Sequence, residues 1–302
     1  MANKWIPAAV VAVVVVGGAA LYLNSDSQKA KKDTSSAASS PVSGKVLALG
    51  STALQPLADE AGKDFASKNA GVTVTVQGGG SGAGLKGALD GSAQIGNSDV
   101  YAAEKLDKAD ADKLVDHEVA VVGIAPVTNK DAGVKNLTTA QIKDIFTGKV
   151  TNWKEVGGKD EKIVVVNRED GSGTRFVFEK ETLGGAKAID SQTQTSTGAV
   201  ITTVSSTPGA IGYVGFSGLK NTVQAVSVDG VEPKNENVED NSYKIWAYEH
   251  MYTKGEATGA AKAYIDYLTS DEVQKTVVPK LGFISISDMK VSKDIDGKIT
   301  NK

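Results

Sequence analysis

The sequence predicts an α/β protein with largely parallel sheets, arranged in two lobes. From Lys45 onward, segments patterned as strands alternate with segments that have helical spacing. The chain has 302 residues, which suits two lobes of ordinary size. Its 40% hydrophobic and 23% charged residues are typical of a soluble protein with a full core.

The predicted strands are short apolar or alternating runs. They cover residues 45–50, 72–77, 93–99, 117–129, 162–167, 209–216, 222–228 and 244–252. The run 117–129 is long for a single strand, and we expect it to cross from one lobe to the other.

Predicted helices follow several of these strands. In the segment 56–68, Pro56 suits a first helical position, and Leu57, Ala61 and Phe65 share one face. Helical patterns also cover residues 85–91, 138–146, 175–184, 256–268 and 272–280, with Thr138 or Thr139 as the cap of the helix 138–146.

The N-terminus carries a segment that is predicted to insert into a membrane. Ile6–Leu23 is a run of 18 residues without a charge, and as a helix it would be roughly 27 Å long, close to the thickness of a bilayer core. Gly18, Ala19 and Ala20 could form a cleavage site, but the length favours an uncleaved anchor over a signal peptide. Residues 24–44 are rich in Ser, Ala and Lys and predict a flexible tether. The rest of the chain is therefore expected outside the cytoplasm, attached to the membrane or secreted after cleavage.

Composition excludes several classes of function. The net charge is −3 and no polybasic run occurs, so nucleic acid is not expected as a partner. The chain has no cysteine, which excludes disulfides, thiolate metal sites and a cysteine nucleophile. His117 and His250 lie in separate strand-like segments and are interpreted as structural or surface residues, so no metal or other cofactor is predicted.

Motifs of enzymes and nucleotide-binding proteins are weak or absent in the sequence. The segment 82–87, GAGLKG, matches the dinucleotide pattern G-x-G-x-x-G, but the helix after it is short for a crossover unit. No Gly-Lys-Ser/Thr tripeptide and no G-x-S-x-G elbow occurs. We therefore expect a binding protein without catalytic residues.

Three small polar turns share one design, in which a strand ends, a turn follows and a helix begins. They are 50–56, 78–84 and 170–174. Helix N-termini present unpaired N–H groups and a positive dipole end, so such turns suit an anion. Arg168 adds a planar fork that matches an oxyanion, and Asp170 could fix that fork from behind. Any one of these turns could instead be an ordinary helix cap.

These motifs resemble the phosphate-binding proteins of ABC phosphate importers. The resemblance rests on Thr52 in GSTALQP, Ser81 in GGGSG, Asp99 in IGNSD, the RxDGSGT run at 168–174, and the segment 137–158. It extends from about residue 45 to near the C-terminus, with the motifs in the order of that family.

The resemblance implies a two-lobed periplasmic-binding-protein fold of type II, with phosphate in the cleft between the lobes. One lobe would comprise residues 45–122 and 246–302 and the other 123–245, joined by crossover strands. It implies an ABC permease and an ATPase as partners, and we expect a monomer. The phosphate-binding residues implied are Thr52, Ala53, Ser81, Asp99, Arg168, Ser172, Gly173 and Thr174, with Asp170 holding Arg168.

Asp99 is an acceptor placed among donors. An ionised carboxylate only accepts hydrogen bonds, so it can bind an oxyanion that keeps a proton and would repel sulfate. This argues against one alternative, a receptor for another oxyanion such as sulfate. A phosphoester hydrolase is disfavoured by the lack of an evident nucleophile–base pair or metal cluster, and a surface phosphate sensor without a transporter stays open. One departure is the missing cysteine, which many Gram-positive relatives use for lipid attachment.

Overall fold

Strands and helices alternate through residues 41–302, the part of the chain that the computed structural model describes. The predicted anchor Ile6–Leu23 and most of the predicted tether lie outside the described residues. Within residues 41–302, no helix combines the length and apolar character that crossing a bilayer requires.

Thirteen strands are present in residues 41–302. They are β1 (Ser43–Gly50), β2 (Gly71–Gly78), β3 (Ile95–Ser98), β4 (Leu114–Thr128), β5 (Asn136–Leu137), β6 (Val164–Arg168), β7 (Gln192–Gln194), β8 (Ala210–Gly215), β9 (Gln224–Ala225), β10 (Ser227–Val228), β11 (Trp246–Lys254), β12 (Val291–Lys293) and β13 (Ile299–Asn301).

Nine α-helices lie in the same range. They are α1 (Gln55–Lys68), α2 (Ser81–Asp90), α3 (Lys108–Ala111), α4 (Thr139–Phe146), α5 (Gly173–Leu183), α6 (Thr197–Ser206), α7 (Asn235–Glu239), α8 (Gly259–Leu268) and α9 (Asp271–Lys280).

Nine of the strands form one mixed sheet, in the order β2-β1-β3-β11-β4-β8-β6-β7, with β9 beside β4. Strands β1, β2 and β3 are parallel to one another, and β6 is parallel to both β7 and β8. Strand β11 is antiparallel to both β3 and β4, and β4 is antiparallel to β8 and β9. The prediction of a largely parallel sheet is therefore wrong, because two long strands return across the middle of the sheet.

Strand β4 includes most of the predicted run 117–129 and pairs with two different strands along its length. Its first part pairs with β11, from Leu114 opposite Lys254 to Gly123 opposite Trp246. Its second part pairs with β8, from Ile124 opposite Gly215 onward. Because neighbours cover this strand along its length, every residue from 119 to 128 is buried.

Helix α1 shows how the sequence pattern builds a layer against the sheet. Pro56 occupies its first turn, and its inward face buries Leu57, Ala61 and Phe65. These side chains pack in one core cluster with residues of β1, β4 and α8. The direction of α1 fixes the turn that precedes it, and that turn belongs to the candidate site.

Several elements differ from the sequence predictions. Helix α2 begins at Ser81, inside the predicted turn 78–84, because Gly80 at φ 83° ends the extended segment there. The predicted strand 222–228 is divided into β9 and β10, and α8 begins at Gly259. Helix α6, strand β7 and the C-terminal hairpin of β12 and β13 were not predicted, because their sequences are short or rich in Ser and Thr.

Candidate functional site

The turn after β1 is capped by a residue that the sequence analysis did not select. Ser51 Oγ accepts hydrogen bonds from the backbone N–H groups of Ala53 at 3.1 Å and Leu54 at 3.0 Å. Because Ser51 already accepts from the free N–H groups of this turn, the hydroxyl of Thr52 is not needed as a cap and is directed away from its own helix. Thr52 Oγ1 accepts from Arg168 Nη2 at 3.2 Å and from the backbone N–H of Thr197 at 3.2 Å.

The second turn places Ser81 beside Asp99. Ser81 Oγ accepts from the backbone N–H of Asp99 at 3.0 Å and donates to Asp99 Oδ1 at 3.4 Å. The turn approaches the sheet closely, since a Cβ added at Gly84 would lie 2.4 Å from the Asn97 carbonyl oxygen. Glycine is therefore required in α2 to bring Ser81 to the end of β3.

The third turn meets the second across the cleft. Ser172 caps α5 by accepting from the Arg175 N–H at 3.2 Å, which leaves its own hydroxyl proton available. Thr174 Oγ1 donates to Asp99 Oδ2 at 2.6 Å. Gly173 abuts the second turn so closely that an added Cβ would lie 2.2 Å from Ser81 Oγ.

Arg168 ends β6 with its guanidinium inside the protein, and only 2% of the residue is exposed. Its Nε donates to the Gln194 carbonyl oxygen at 3.1 Å, and its Nη2 donates to Thr52 and to the Thr195 carbonyl oxygen. Nη1 is buried and has no hydrogen-bond partner among residues 41–302. Burial lowers the pKa of Arg168 from its ordinary value, while the charge of Asp99 opposes this effect. The side chain remains a cation, because a guanidinium does not lose its proton in proteins.

The N-termini of four helices converge on this cluster. Helices α1, α2, α5 and α6 begin at residues 55, 81, 173 and 197 and have 14, 10, 11 and 10 residues. The two sides of the cleft are in direct contact, since the Gly82 N–H donates to the Gly171 carbonyl oxygen at 3.0 Å. Four dipole ends and one buried cation are groups that favour a bound anion.

A cavity of about 520 Å³ adjoins the cluster on the side of Thr52. Its wall includes Gln55 and Pro56 of α1, Ser196 and Thr197 at the start of α6, and Lys220. The cavity therefore leads from the surface to the hydroxyl that contacts Arg168.

Most of the predicted site residues come together. Contacts link Thr52 to Arg168, Ser81 and Thr174 to Asp99, and Gly173 to Ser81. Ser172 lies directly before Gly173 and is itself buried. Residues that are far apart in the sequence thus line one buried cluster.

Two predicted contacts differ from those in the structure. Asp170 does not hold Arg168; its carboxylate contacts Arg175 Nη1 at 2.6 Å, because the Arg168 side chain turns inward while Asp170 stays exposed. The backbone N–H of Ala53 was expected to donate to the ligand, but in this structure it donates to Ser51 Oγ.

Besides Ser51, sequence reasoning missed Arg175 and Thr197, which contact the cluster. Arg175 donates to the Arg168 carbonyl oxygen at 2.8 Å and to Glu179 Oε1 at 2.8 Å, so it braces the strand end that carries Arg168. The two arginines of the chain are Arg168 and Arg175, and this concentration in one segment could have identified both. Thr197 contacts Thr52 and lies at the start of α6, where Ser196 provides the cap; the Ser-Thr pair before an apolar run was the available signal.

The arrangement offers binding groups rather than a metal site. No group of three or more His, Asp or Glu residues able to hold a metal ion occurs in the described part of the chain. His117 contacts Thr253, and His250 contacts Asp116, both on the long central strands or at their ends. A two-lobed α/β fold with a buried, cationic cluster between helix N-termini defines a binding protein of the periplasmic type.

Comparisons with known proteins agree with this class. The sequence pattern of the PBP superfamily domain matches residues 35–272. The chain is 49% identical over 276 residues to the phosphate-binding protein PstS of Bacillus subtilis, covering 91% of this chain and 92% of that protein. It is 26% identical over 257 residues to PstS of Borreliella burgdorferi, covering 80% and 90%. This chain belongs to the PBP superfamily and, within it, to the family of the phosphate-binding proteins.

Solved structures give the same result. A substrate-binding protein from Clostridium perfringens, assigned to phosphate ABC transport and solved with bound phosphate, superposes with a TM-score of 0.75 at 39% identity, covering 80% of this chain and 100% of that one. An ABC-type phosphate transport receptor from Vibrio cholerae superposes with a TM-score of 0.64 at 28% identity, covering 79% and 99%.

Proposed function

We propose that this protein binds inorganic phosphate outside the cytoplasm and delivers it to an ABC importer. The observation that carries the proposal is the buried Arg168, whose Nη1 has no partner in residues 41–302 while the acceptor Asp99 lies in the same cluster. A buried cationic donor and a buried acceptor together suit an anion that also carries a proton.

Phosphate would be held by groups from both sides of the cleft. The guanidinium of Arg168 would supply a charge-assisted bond, and the hydroxyls of Thr52, Ser81, Ser172 and Thr174 would supply further donors. The N–H groups at the start of α5, including that of Gly173, would add the dipole of an 11-residue helix. Because Ala53 N–H and the Ser81 and Thr174 hydroxyls have protein partners here, binding would redirect those bonds to the ligand.

Asp99 would select the protonated anion. A phosphomonoester loses its last proton with a pKa of about 6, but inorganic phosphate has one more hydroxyl and keeps at least one proton near neutral pH. This proton can bind the carboxylate. Sulfate carries no proton and would meet Asp99 as an unpaired like charge. The site therefore favours phosphate through one attractive and one repulsive contact.

Delivery and location follow from the relatives and from the N-terminus. Proteins similar to this one are named as phosphate-binding proteins and as components of phosphate ABC transport, so a permease and an ATPase are the proposed partners. The uncharged run Ile6–Leu23 would anchor the chain, because the sequence has no cysteine for a lipid. We propose a monomeric binder rather than an enzyme, since the cluster uses its hydroxyls as caps and donors.

Titration calorimetry of the compact unit 41–302 tests the proposal. We expect heat and saturation with phosphate, much weaker binding of sulfate at the same pH and ionic strength, and no turnover of p-nitrophenyl phosphate. A protein that does not bind phosphate, or binds sulfate equally well, would contradict the proposed ligand. Hydrolysis that disappears in Ser172→Ala would instead support the phosphoester hydrolase.

A further inference from the structure

A second carboxyl group lies beside Asp99 and has no part in the binding scheme above. Glu249 is on β11, which runs antiparallel to β3 with His250 opposite Ser98. This register brings Glu249 level with Asp99, the residue that follows β3. Residues directly opposite in an antiparallel pair have neighbouring side chains.

Glu249 is completely buried, with 0% of the residue exposed. Neither of its carboxyl oxygens receives a hydrogen bond from an N–H or O–H donor within the described part of the chain. The carboxyl group of Asp99 is within hydrogen-bonding reach of Glu249. The charge of Asp99 also acts on the cation of the cluster, because it raises the pKa of Arg168. A buried carboxylate without a donor is strongly unfavourable, so Glu249 needs either a cation or a proton.

Protonation of Glu249 meets this need. Two adjacent buried carboxyl groups cannot both ionise, because like charges at short range oppose the loss of the second proton. Burial first, and then the charge of Asp99, raises the pKa of Glu249 well above its ordinary value. As a neutral acid, Glu249 has one O–H donor, and the adjacent acceptor is Asp99.

We propose that Glu249 is a positioning residue for specificity, a neutral acid that donates its proton to Asp99 and thereby holds Asp99 as an acceptor for the protonated oxygen of the bound anion. This rests on the proposed function, in which the anion is phosphate. Without the anion, Asp99 accepts from Ser81 at 3.4 Å and from Thr174 at 2.6 Å. When these two hydroxyls turn to the bound anion, the proton of Glu249 is the donor that stays on Asp99. The pair carries one negative charge, located on the residue that faces the ligand.

The arrangement separates two requirements of the site. Asp99 must present an acceptor to the protonated oxygen of the anion, and a neutral acid behind it can donate to its other oxygen. A second negative charge behind Asp99 would weaken the attraction of the whole cluster for any anion. A protonated Glu249 meets both requirements, because it donates to Asp99 without adding charge.

Two variants of the full chain test the proposal. Glu249→Gln keeps the shape and an N–H donor, whereas Glu249→Met keeps the length and removes the donor. Phosphate and sulfate affinities are measured by calorimetry at one pH and ionic strength, and circular dichroism confirms that each variant is folded. Infrared difference spectra of wild type and Glu249→Gln at neutral pH show whether Glu249 carries the proton.

We expect a protonated-acid carbonyl band in wild type that is absent from Glu249→Gln. The ratio of phosphate to sulfate affinity should stay within about threefold of wild type in the Gln variant and fall by at least about tenfold in the Met variant. The absence of the band, or an unchanged ratio in Glu249→Met, overturns the role of Glu249 while phosphate binding by wild type stands. If Glu249→Met does not fold, the infrared band and the ratio in Glu249→Gln still decide.

A wild-type protein that binds neither anion would be a different failure. It would overturn the proposed function and, with it, the specificity role of Glu249, even if the infrared band were present.

Discussion

Replacement of Arg168 by alanine should nearly abolish phosphate binding. The guanidinium is buried, and three of its contacts hold it toward the cleft, through Nε to Gln194 and through Nη2 to Thr52 and Thr195. Nη1 is left to bind the ligand. The guanidinium of Arg168 is held in place before the ligand binds, so little side-chain entropy is lost on binding. The contact with the ligand therefore contributes nearly all of its interaction free energy to affinity.

The magnitude follows from the burial of the contact. Truncation of one partner of a buried, hydrogen-bonded charge pair costs about 2–5 kcal/mol. At about 1.4 kcal/mol for each factor of ten, Arg168→Ala should raise the dissociation constant by about 30-fold to about 4,000-fold. Arg168→Lys should fall in the same range, because an ammonium cannot contact Thr52, Gln194 and phosphate in the geometry of the fork.

Calorimetry and thermal unfolding measure the effect independently. Wild type should unfold at a higher temperature with saturating phosphate, because the ligand binds only the folded state, and Arg168→Ala should lose that increase. The circular dichroism spectrum of the variant should match wild type, since the fold does not depend on the ligand contact.

Arg175→Ala is the matched control, because this arginine lies seven residues away and its guanidinium contacts Asp170, Glu179 and a backbone carbonyl. Partly exposed ion pairs contribute up to about 1 kcal/mol, so phosphate affinity should change by less than about tenfold. Near-native affinity in Arg168→Ala, or a larger loss in Arg175→Ala, would refute the assignment of Arg168 as the clamp.

Three other substitutions and one truncation test separate parts of the reasoning. Asp99→Asn should narrow the ratio of phosphate to sulfate affinity by at least about tenfold, mainly by admitting sulfate, because an amide can donate as well as accept; an unchanged ratio in parallel titrations would show that Asp99 does not discriminate. Gly173→Ala should weaken phosphate binding by at least about tenfold, because its Cβ would lie 2.2 Å from Ser81 Oγ and push the second and third turns apart. A phosphate affinity equal to that of wild type in parallel titrations would contradict this prediction. Since the pKa of Glu249 is raised, its contribution to stability is complete below the ordinary value of 4.5 and is lost as pH rises toward the folded value. Between pH 4.5 and the folded pKa of Glu249, the free energy of unfolding of wild type should therefore fall relative to that of Glu249→Gln by up to about 1.4 kcal/mol for each pH unit. Denaturant curves in which the two free energies differ by the same amount at every pH would exclude the protonated acid. The full chain should fractionate with membranes while residues 43–302 stay soluble, and a mature N-terminus near Leu21 would show cleavage instead.

Local patterns in the sequence were sufficient for the α/β class and for the bounds of several helices. Helix α4 begins after Thr138, which is one of the two caps that the sequence predicted, and the structure adds a capping box with Gln141. Helix α1 ends at Lys68, the predicted boundary, because its apolar face ends there. Such features depend on residues within one or two turns of each other, so the sequence alone contains the information. The division of 222–228 into β9 and β10 depends on two different partners, β4 and β5, which no local pattern identifies.

The sequence by itself determined that three strands end in small polar turns followed by helices, because such a turn is formed by residues that are neighbours in the chain. The order of those motifs, through the resemblance to a known family, predicted that Arg168 and Asp99 belong to one site. The tertiary structure decided which groups meet: Asp170 contacts Arg175 instead of Arg168, and Ser51 rather than Thr52 caps its turn. It also decided that Glu249 lies beside Asp99, 150 residues away in sequence, because the antiparallel register of β11 and β3 sets that contact. The effect of one charge on another depends on distance and burial, and both are fixed only when the sheet has formed.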